Sequence, residues 1–458
     1  MTTQKNAPVD RGCAVAVIIF ILGLGTLLPW NFFITATEYF DDRLKGTPSI
    51  TNGTTPVTKD YEFASFMTLL AQLPLLLFTL ANSFLYQRIR EKVRIAVSLV
   101  SILCLFLLTA IMVKVPMQPD SFFSITMATI WFINSFGAVL QGSLFGLVGM
   151  LPPKYSTLFM SGQGLAGIFA ALASLLSILS KTDKASAALG YFITPCVATL
   201  LTLLSYLLLP HLVSGYTDHD KRERVSSTTV ALDITEECTH KILCWALGSH
   251  QVICPGSLQK GAVFRIPLSF QSPFKSTFSQ TFLSHFVTVV QVWVMALCVT
   301  CVLAVTLSVF PAVTVKVKSV YGNKEWDRYF LCVCCFIVFN VMDLIGRSVT
   351  SMVQWPSKRS RLFPVLVVSR VVFIPLIMLC KTDNRQYLPV LFSHDIAFVA
   401  IMTLFAVSNG YLICLCMSYA PQLVRSKDCE TAGALMTFFL ALGLSLGAAL
   451  SFLLRNLL

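Results

Sequence analysis

The sequence predicts an all-α polytopic membrane protein of about eleven transmembrane helices, and three observations predict it. Of its 458 residues, 55% are hydrophobic and only 12% charged, whereas soluble domains carry about a quarter charged residues; mean hydropathy is +0.75. The apolar residues gather into uncharged or nearly uncharged runs, each long enough to cross a core of about 30 Å at about 1.5 Å per residue. The basic residues behind the net charge of +12 and the pI of about 9.1 sit in short clusters between those runs. Loops at a membrane surface look like this, whereas a nucleic-acid-binding domain would collect its cations on one face. The lipid bilayer is therefore the expected partner, nucleic acid is excluded, and no obligate protein partner is evident.

The first run, 12–37, carries no charge and follows Arg11. It is about twice the length of a signal-peptide core and continues through Pro29-Trp30-Asn31, so it reads as a first transmembrane helix rather than a cleaved leader. Further runs follow at 63–87, 95–113, 121–153, 155–180 and 185–210, then at 276–315, 329–357, 362–380, 396–424 and 431–454. The run 276–315 is long enough for its first part to be an amphipathic approach helix. Three regions result: an N-terminal six-helix half (1–210), a cytoplasmic central loop (211–275) and a C-terminal five-helix half (276–458).

Lys and Arg summed over all short loops are nearly equal on the two sides, so orientation rests on two basic clusters and one sequon. With the N-terminus inside, Arg88-Ile-Arg90-Glu-Lys92-Val-Arg94 and Lys358-Arg359-Ser-Arg361 are cytoplasmic, as the positive-inside rule requires. Asn52-Gly53-Thr54, between the first two spans, is then a lumenal or extracellular N-glycosylation site at Asn52. An odd number of spans leaves the C-terminus outside.

Between the halves, a charged stretch (Asp218 to Arg224) precedes one containing Cys238, His240, Cys244, His250 and Cys254. Those spacings match no compact four-ligand zinc pattern, so no metal is assigned. Most other cysteines fall within apolar runs, where free cysteine behaves as a small hydrophobe. Gly142/Gly146 and Gly443/Gly447 have GxxxG spacing, and Gly162, Gly164 and Gly167 form a third small-residue face; all three read as close helix contacts. Gly162-Gln-Gly164 is no nucleotide loop, since no strand precedes it and no Lys-Ser/Thr follows. Pro29, Pro74, Pro195, Pro311 and Pro375 are expected to kink helices and free backbone groups.

Formal charge enters only the eighth span (Asp343, Arg347) and the ninth (Arg370). Asp343 and Arg347 are one helical turn apart on one face and can pair. A charge at membrane depth costs a few kcal/mol or more and persists where it faces a partner or a watery cavity. The pair therefore either locks two helices together or lines a pathway. Trp30, Asn31, Gln72, Asn134, Gln141 and Asn340 also sit at depth. Each alone reads as an interhelical hydrogen bond; together they describe a cavity of amides, aromatic faces and one charge pair. That lining suits a neutral, polar, partly aromatic solute. Passive transport is the simplest reading: there is no ATP-binding motif, no spare intramembrane carboxylate and no cofactor site. Enzyme activity has no support, because no nucleophile–base set appears. A receptor and an organic-cation carrier are the competing classes, the latter requiring an unpaired acid in the cavity.

The motifs Leu22-Gly-Leu-Gly-Thr-Leu-Leu-Pro-Trp30-Asn31-Phe-Phe and Asn134-Ser-Phe-Gly-Ala-Val-Leu-Gln141-Gly-Ser-Leu-Phe-Gly146 resemble those of the equilibrative nucleoside transporters. So do Phe310-Pro-Ala-Val-Thr314, Asp343 to Ser348 and Ser408-Asn-Gly-Tyr411, while Leu69–Tyr86 and Ala434–Leu446 look most like the family's second vertebrate plasma-membrane branch. The resemblance implies a 6+5 arrangement related to the major facilitator fold, alternating access, and facilitated diffusion of nucleosides and nucleoside analogues. It implies that Trp30 and Leu27 border the base and Gln141 hydrogen-bonds it. Asp343 and Arg347 would meet the ribose hydroxyls, with Asn340 and Phe336 beside them. Ile34, Gln72, Leu75, Gly137, Phe310 and Leu444 fall where the family has substrate or inhibitor contacts.

Overall fold

A computed structural model describes residues 13–35, 37–44, 63–85, 89–179, 192–209, 273–322, 326, 329–382 and 389–457. Asn52 and the cysteine- and histidine-containing stretch of the central loop lie outside the described residues, as does the side chain of Ile34. The first half contains α1 (Ala14–Thr35), α2 (Thr37–Leu44), α3 (Phe63–Leu85), α4 (Glu91–Lys114), α5 (Pro119–Gly149), α6 (Pro153–Leu179) and α7 (Phe192–Leu209). The second contains α8 (Pro273–Val309), α9 (Leu331–Val349), α10 (Leu362–Met378), α11 (Asp395–Tyr419) and α12 (Cys429–Asn456). Among the described residues 9 helices are long and apolar enough to cross a bilayer. Shorter apolar stretches, Leu70–Asn82 in α3 and Leu362–Met378, stand where the second and ninth spans are expected. Every apolar run of the sequence thus has its helix.

The short amphipathic α2 is an accessory to the spans. Arg43 donates from Nη1 to Val113 O (2.8 Å) and from Nη2 to Val115 O (2.6 Å), closing the carbonyls at the end of α4. A cation there also meets the negative end of the helix dipole. On α4 and α7, Val97, Ile111, Leu201 and Leu208 are exposed, as expected of surfaces facing lipid rather than water.

Three local differences from the sequence reading have backbone causes. The stretch from Pro273 to Val309 is one continuous helix of 37 residues, with no separate approach helix; at about 55 Å it outruns the hydrocarbon core. Two residues later Pro311, which has no N–H to continue the helix, follows its end. Of the prolines expected to kink spans, Pro29 and Pro74 lie inside helices, whereas Pro195 sits in the first turn of α7. Pro375 works differently again. It cannot bond to Val371 O, and α10 tightens into a 3₁₀ turn at Arg370–Val372 before resuming at Phe373. Helix α10 is thus broken where its charge sits.

Small residues set the helix spacings, as their pattern predicts. A Cβ on Gly443 would stand 2.7 Å from Thr300 O and one on Gly447 2.7 Å from Ala304 O, so α12 lies directly on α8. A Cβ on Gly142 would meet Asn82 Nδ2 at 2.6 Å and one on Gly146 would meet Glu430 Cγ at 2.9 Å, bringing α5 against α3 and α12. Within the first half α1 packs on α6, and α3 and α4 pack on α5; within the second, α8 packs on α12 and α9 on α11. The halves meet through α5 and α3 against α12, and through α6 against α9 and α11.

Candidate functional site

Between the two halves lies a cavity of about 650 Å³, walled by α1, α3, α5 and α6 on one side and α8, α9, α11 and α12 on the other. Small-molecule sites typically occupy about 300–1,000 Å³. The α9 wall begins with a π-helical segment, Leu331–Ile337, and continues as ordinary α-helix from Val338. Such widened turns recur at functional sites. Phe336, Asn340, Asp343 and Arg347, at successive spacings of four, three and four, then share the face that lines the cavity.

Asp343 and Arg347 are 5% and 8% exposed. Arg347 Nε donates to Asp343 Oδ2 at 2.7 Å, and Nη1 donates to Met160 O on α6 at 3.0 Å. Its Nη2 has no hydrogen bond to a described residue. Asp343 Oδ1 accepts from Asn409 Nδ2 at 2.7 Å. A carboxylate has about four lone-pair sites, so this one keeps capacity for two further donors. The two readings of the pair therefore hold together: it ties α9 to α6 across the halves and also faces the cavity.

Close helix crossings put these groups in place. A Cβ on Gly410 would strike Asp343 O, and one on Gly346 would strike Val407 O, so α9 and α11 touch backbone to backbone. That contact brings Asn409 to the carboxylate. Gly164 plays the same part on α6, where a Cβ would stand 3.1 Å from Arg347 Cδ.

The rest of the lining is amide and aromatic. Trp30 and Leu27 line it from α1, Gln72 and Leu75 from α3, Gly137 and Gln141 from α5, Phe310 from α8 and Leu444 from α12. Every candidate with a described side chain faces the cavity. A Cβ on Gly137 would meet nothing within 4 Å, so this glycine widens the cavity rather than permitting a helix contact. Gln141 is 5% exposed, with no hydrogen bond to a described residue, and Gln72 Oε1 is buried without a partner. Two amides are thus left for a solute. The Phe310 ring stacks on Phe339 at 3.9 Å and meets Phe336 edge-on at 5.8 Å, forming an aromatic wall.

The profile of the family described as "Nucleoside transporter" matches residues 127–456. Human equilibrative nucleoside transporter 2 is 51% identical over 472 residues, covering 99% of this chain and 100% of the relative. The chain belongs to the nucleoside transporter family. The rat form of that relative is 50% identical over 465 residues, covering 99% of both chains, and human equilibrative nucleoside transporter 1 is 44% identical over 475 residues, again 99% of both. Among solved structures, the proton:xylose symporter XylE of the major facilitator superfamily superposes with a TM-score of 0.61 at 12% identity, covering 98% of this chain and 90% of that one. A second superfamily member, FucP, gives 0.51 at 11% identity over 96% of this chain and 97% of its own. This family member therefore has the major facilitator fold, as its resemblance implied.

Thr26, Met160, Gln163, Thr306 and Asn409 also line the cavity, and sequence reasoning did not single them out. Gln163 Nε2 donates to Thr26 Oγ1 at 3.0 Å, joining α6 to α1. Asn409 was visible only as part of the Ser408-Asn-Gly-Tyr411 string. Its partners come from other helices, and no spacing along the chain predicts them.

Proposed function

We propose that the chain is a sodium-independent facilitative carrier of purine and pyrimidine nucleosides, and of some nucleobases, across the plasma membrane. The halves 1–210 and 276–458, joined by the cytoplasmic loop 211–275, rock around a central site so that it opens to each side in turn. The N-terminus is cytoplasmic, the C-terminus extracellular and Asn52 glycosylated. One observation carries this reading: a single cavity between the halves brings together a charge pair, unpartnered amides and aromatic rings. Its relatives' names supply the solute class.

The chemistry suits a nucleoside part by part. Trp30 and Leu27 flank the base, and the Gln141 amide, with Gln72 nearby, meets donors and acceptors on the base edge. Asp343 accepts from ribose hydroxyls with its spare lone pairs while Arg347 Nη2 donates to them. Asn340 and Phe336 sit beside the sugar; Ile34, Leu75, Gly137, Phe310 and Leu444 complete the walls. No bond is made or broken, so the protein is no enzyme. Asp343 is held by Arg347 and Asn409, and among the described residues no other carboxylate lines the cavity. No second acid among the described residues of the lining can carry a proton or attract an organic cation, which supports passive transport.

Uptake of tritiated uridine in cells lacking endogenous nucleoside carriers tests the proposal. It should saturate, persist when sodium is replaced by choline, and be competed by adenosine. Uptake that vanishes without sodium would refute it.

A further inference from the structure

Arg370 is only 2% exposed, more deeply buried than either member of the α9 charge pair. Among the described residues no carboxylate lies within 4.0 Å of it. All three of its guanidinium nitrogens nonetheless donate hydrogen bonds. Nη1 donates to Val302 O (2.9 Å), Nη2 to Phe405 O (3.2 Å) and Nε to Ser408 Oγ (3.1 Å), with the Phe405 ring 5.1 Å beneath it. Those bonds tie α10 to α8 and α11, and a purely structural cation would end there.

One contact goes further. Nη2 also donates to Thr306 Oγ1 at 3.1 Å. Thr306 Oγ1 lies 2.7 Å from Asn409 Oδ1, and Asn409 Nδ2 donates to Asp343 Oδ1 at 2.7 Å. Every donor in this chain points toward the carboxylate, so each bond polarises the next. The amide orientation is forced, because a carboxylate oxygen only accepts and the amide nitrogen must face it. Asn409 Oδ1 then needs a donor, and Thr306 is placed to supply it. The Thr306 hydroxyl has one hydrogen and two acceptors in reach, since Val302 O is also 2.9 Å away. Arg370 Nη1 already donates to that carbonyl, and Nη2 takes a lone pair of Thr306 Oγ1, so the hydroxyl hydrogen is directed to Asn409 Oδ1.

The geometry points to Arg370 as a positioning residue for solute recognition. Through Thr306 and Asn409 it sets the rotation of the Asp343 carboxylate, and so the protein's preference for solutes carrying sugar hydroxyls. This rests on the proposed contact between Asp343 and the ribose. It adds that the hydroxyl selectivity of α9 is fixed from α10, a helix outside the cavity wall.

Replacing Arg370 outright strips several buried acceptors of their donor, so the informative variant is Thr306→Val, which cuts the relay and keeps the side-chain shape. Initial uptake rates of uridine and 2′,3′-dideoxyuridine are measured in carrier-null cells, normalised to surface protein. Thr306→Val should raise the uridine KM about tenfold and leave that of the dideoxy compound within about twofold. Thr306→Ser should restore uridine, and Arg370→Lys, which loses the fork geometry, should shift in the same direction as Thr306→Val. Equal losses for both solutes, a fall confined to surface protein, or no change in either KM would overturn the proposal. Asp343→Asn tests the reading beneath it. If that variant leaves wild-type discrimination between the two solutes intact, the ribose contact itself is wrong, whatever Thr306→Val shows.

Discussion

At the level of single residues, the Asp343–Arg347 pair has the largest energetic stake. Breaking a buried pair by removing one partner costs about 3–5 kcal/mol, because the other charge is left uncompensated. Arg347→Ala strands Asp343 on Asn409 alone and removes the bond to Met160 O. Uridine uptake should fall to background at normal surface expression; unchanged uptake would contradict the assignment. Gln141→Ala removes an amide with no partner among the described residues, so stability should hold while the KM for adenosine and uridine rises about tenfold, a split that saturation kinetics measure directly. The pair was legible in the sequence because its geometry is local: two charges four residues apart on one helix have one way to meet. Thr306, Asn409 and the Met160 carbonyl were not, since each reaches the site from a different helix. Arg370 was visible as a charge, but nothing in its neighbourhood along the chain shows that it ends on hydroxyls and carbonyls.

Among the helices, the contact between α9 and α11 positions the site. A methyl group on Gly410 would collide with the Asp343 carbonyl, and forced overpacking typically costs about 1–3 kcal/mol. Gly410→Ala should lower the thermal unfolding temperature of the purified protein and weaken uridine affinity together, because it shifts the backbone that carries the carboxylate. A loss of stability with unaltered KM would show that the crossing does not position Asp343. The helices themselves were readable, since long apolar runs bounded by charge have few alternatives in a bilayer. Their interruptions were not. Hydropathy does not register the π-helical segment Leu331–Ile337, which is apolar like its surroundings, and Pro375 marked a break without showing that the turn at Arg370–Val372 would carry the buried cation.

Across the whole molecule, α12 meets the first half through a charge pair and a close helix contact. There Arg94 Nη2 on α4 pairs with Glu430 Oε1 on α12 at 3.0 Å, and a Cβ on Gly433 would strike Phe145 O. Arg94 Nε and Nη1 have no hydrogen-bond partner among the described residues, so Glu430 is the carboxylate that holds it directly, with the charge of Glu91 acting on it from one turn away on α4. If the halves rock as proposed, this contact opens and re-forms in each cycle. Glu430→Gln should therefore reduce maximal uridine uptake more than it changes KM, and the exchanged pair Arg94→Glu with Glu430→Arg should recover part of the loss. Independent, additive losses in uptake rate would show that the two residues do not act as a pair. The polar stretch in the sequence predicts two halves, but nothing along the chain indicates which helices meet across the divide.

The central claim is that solute equilibrates through this protein with no ion gradient driving it. Counterflow in proteoliposomes tests this most directly: vesicles holding the purified protein are loaded with unlabelled uridine and diluted into a trace of labelled uridine, with equal ions and pH on both sides. Label should accumulate transiently above its outside concentration and decay to equilibrium, with no overshoot for Arg347→Ala. Absence of the overshoot in the wild-type protein, with sustained accumulation appearing only under an imposed sodium or proton gradient, would contradict the account.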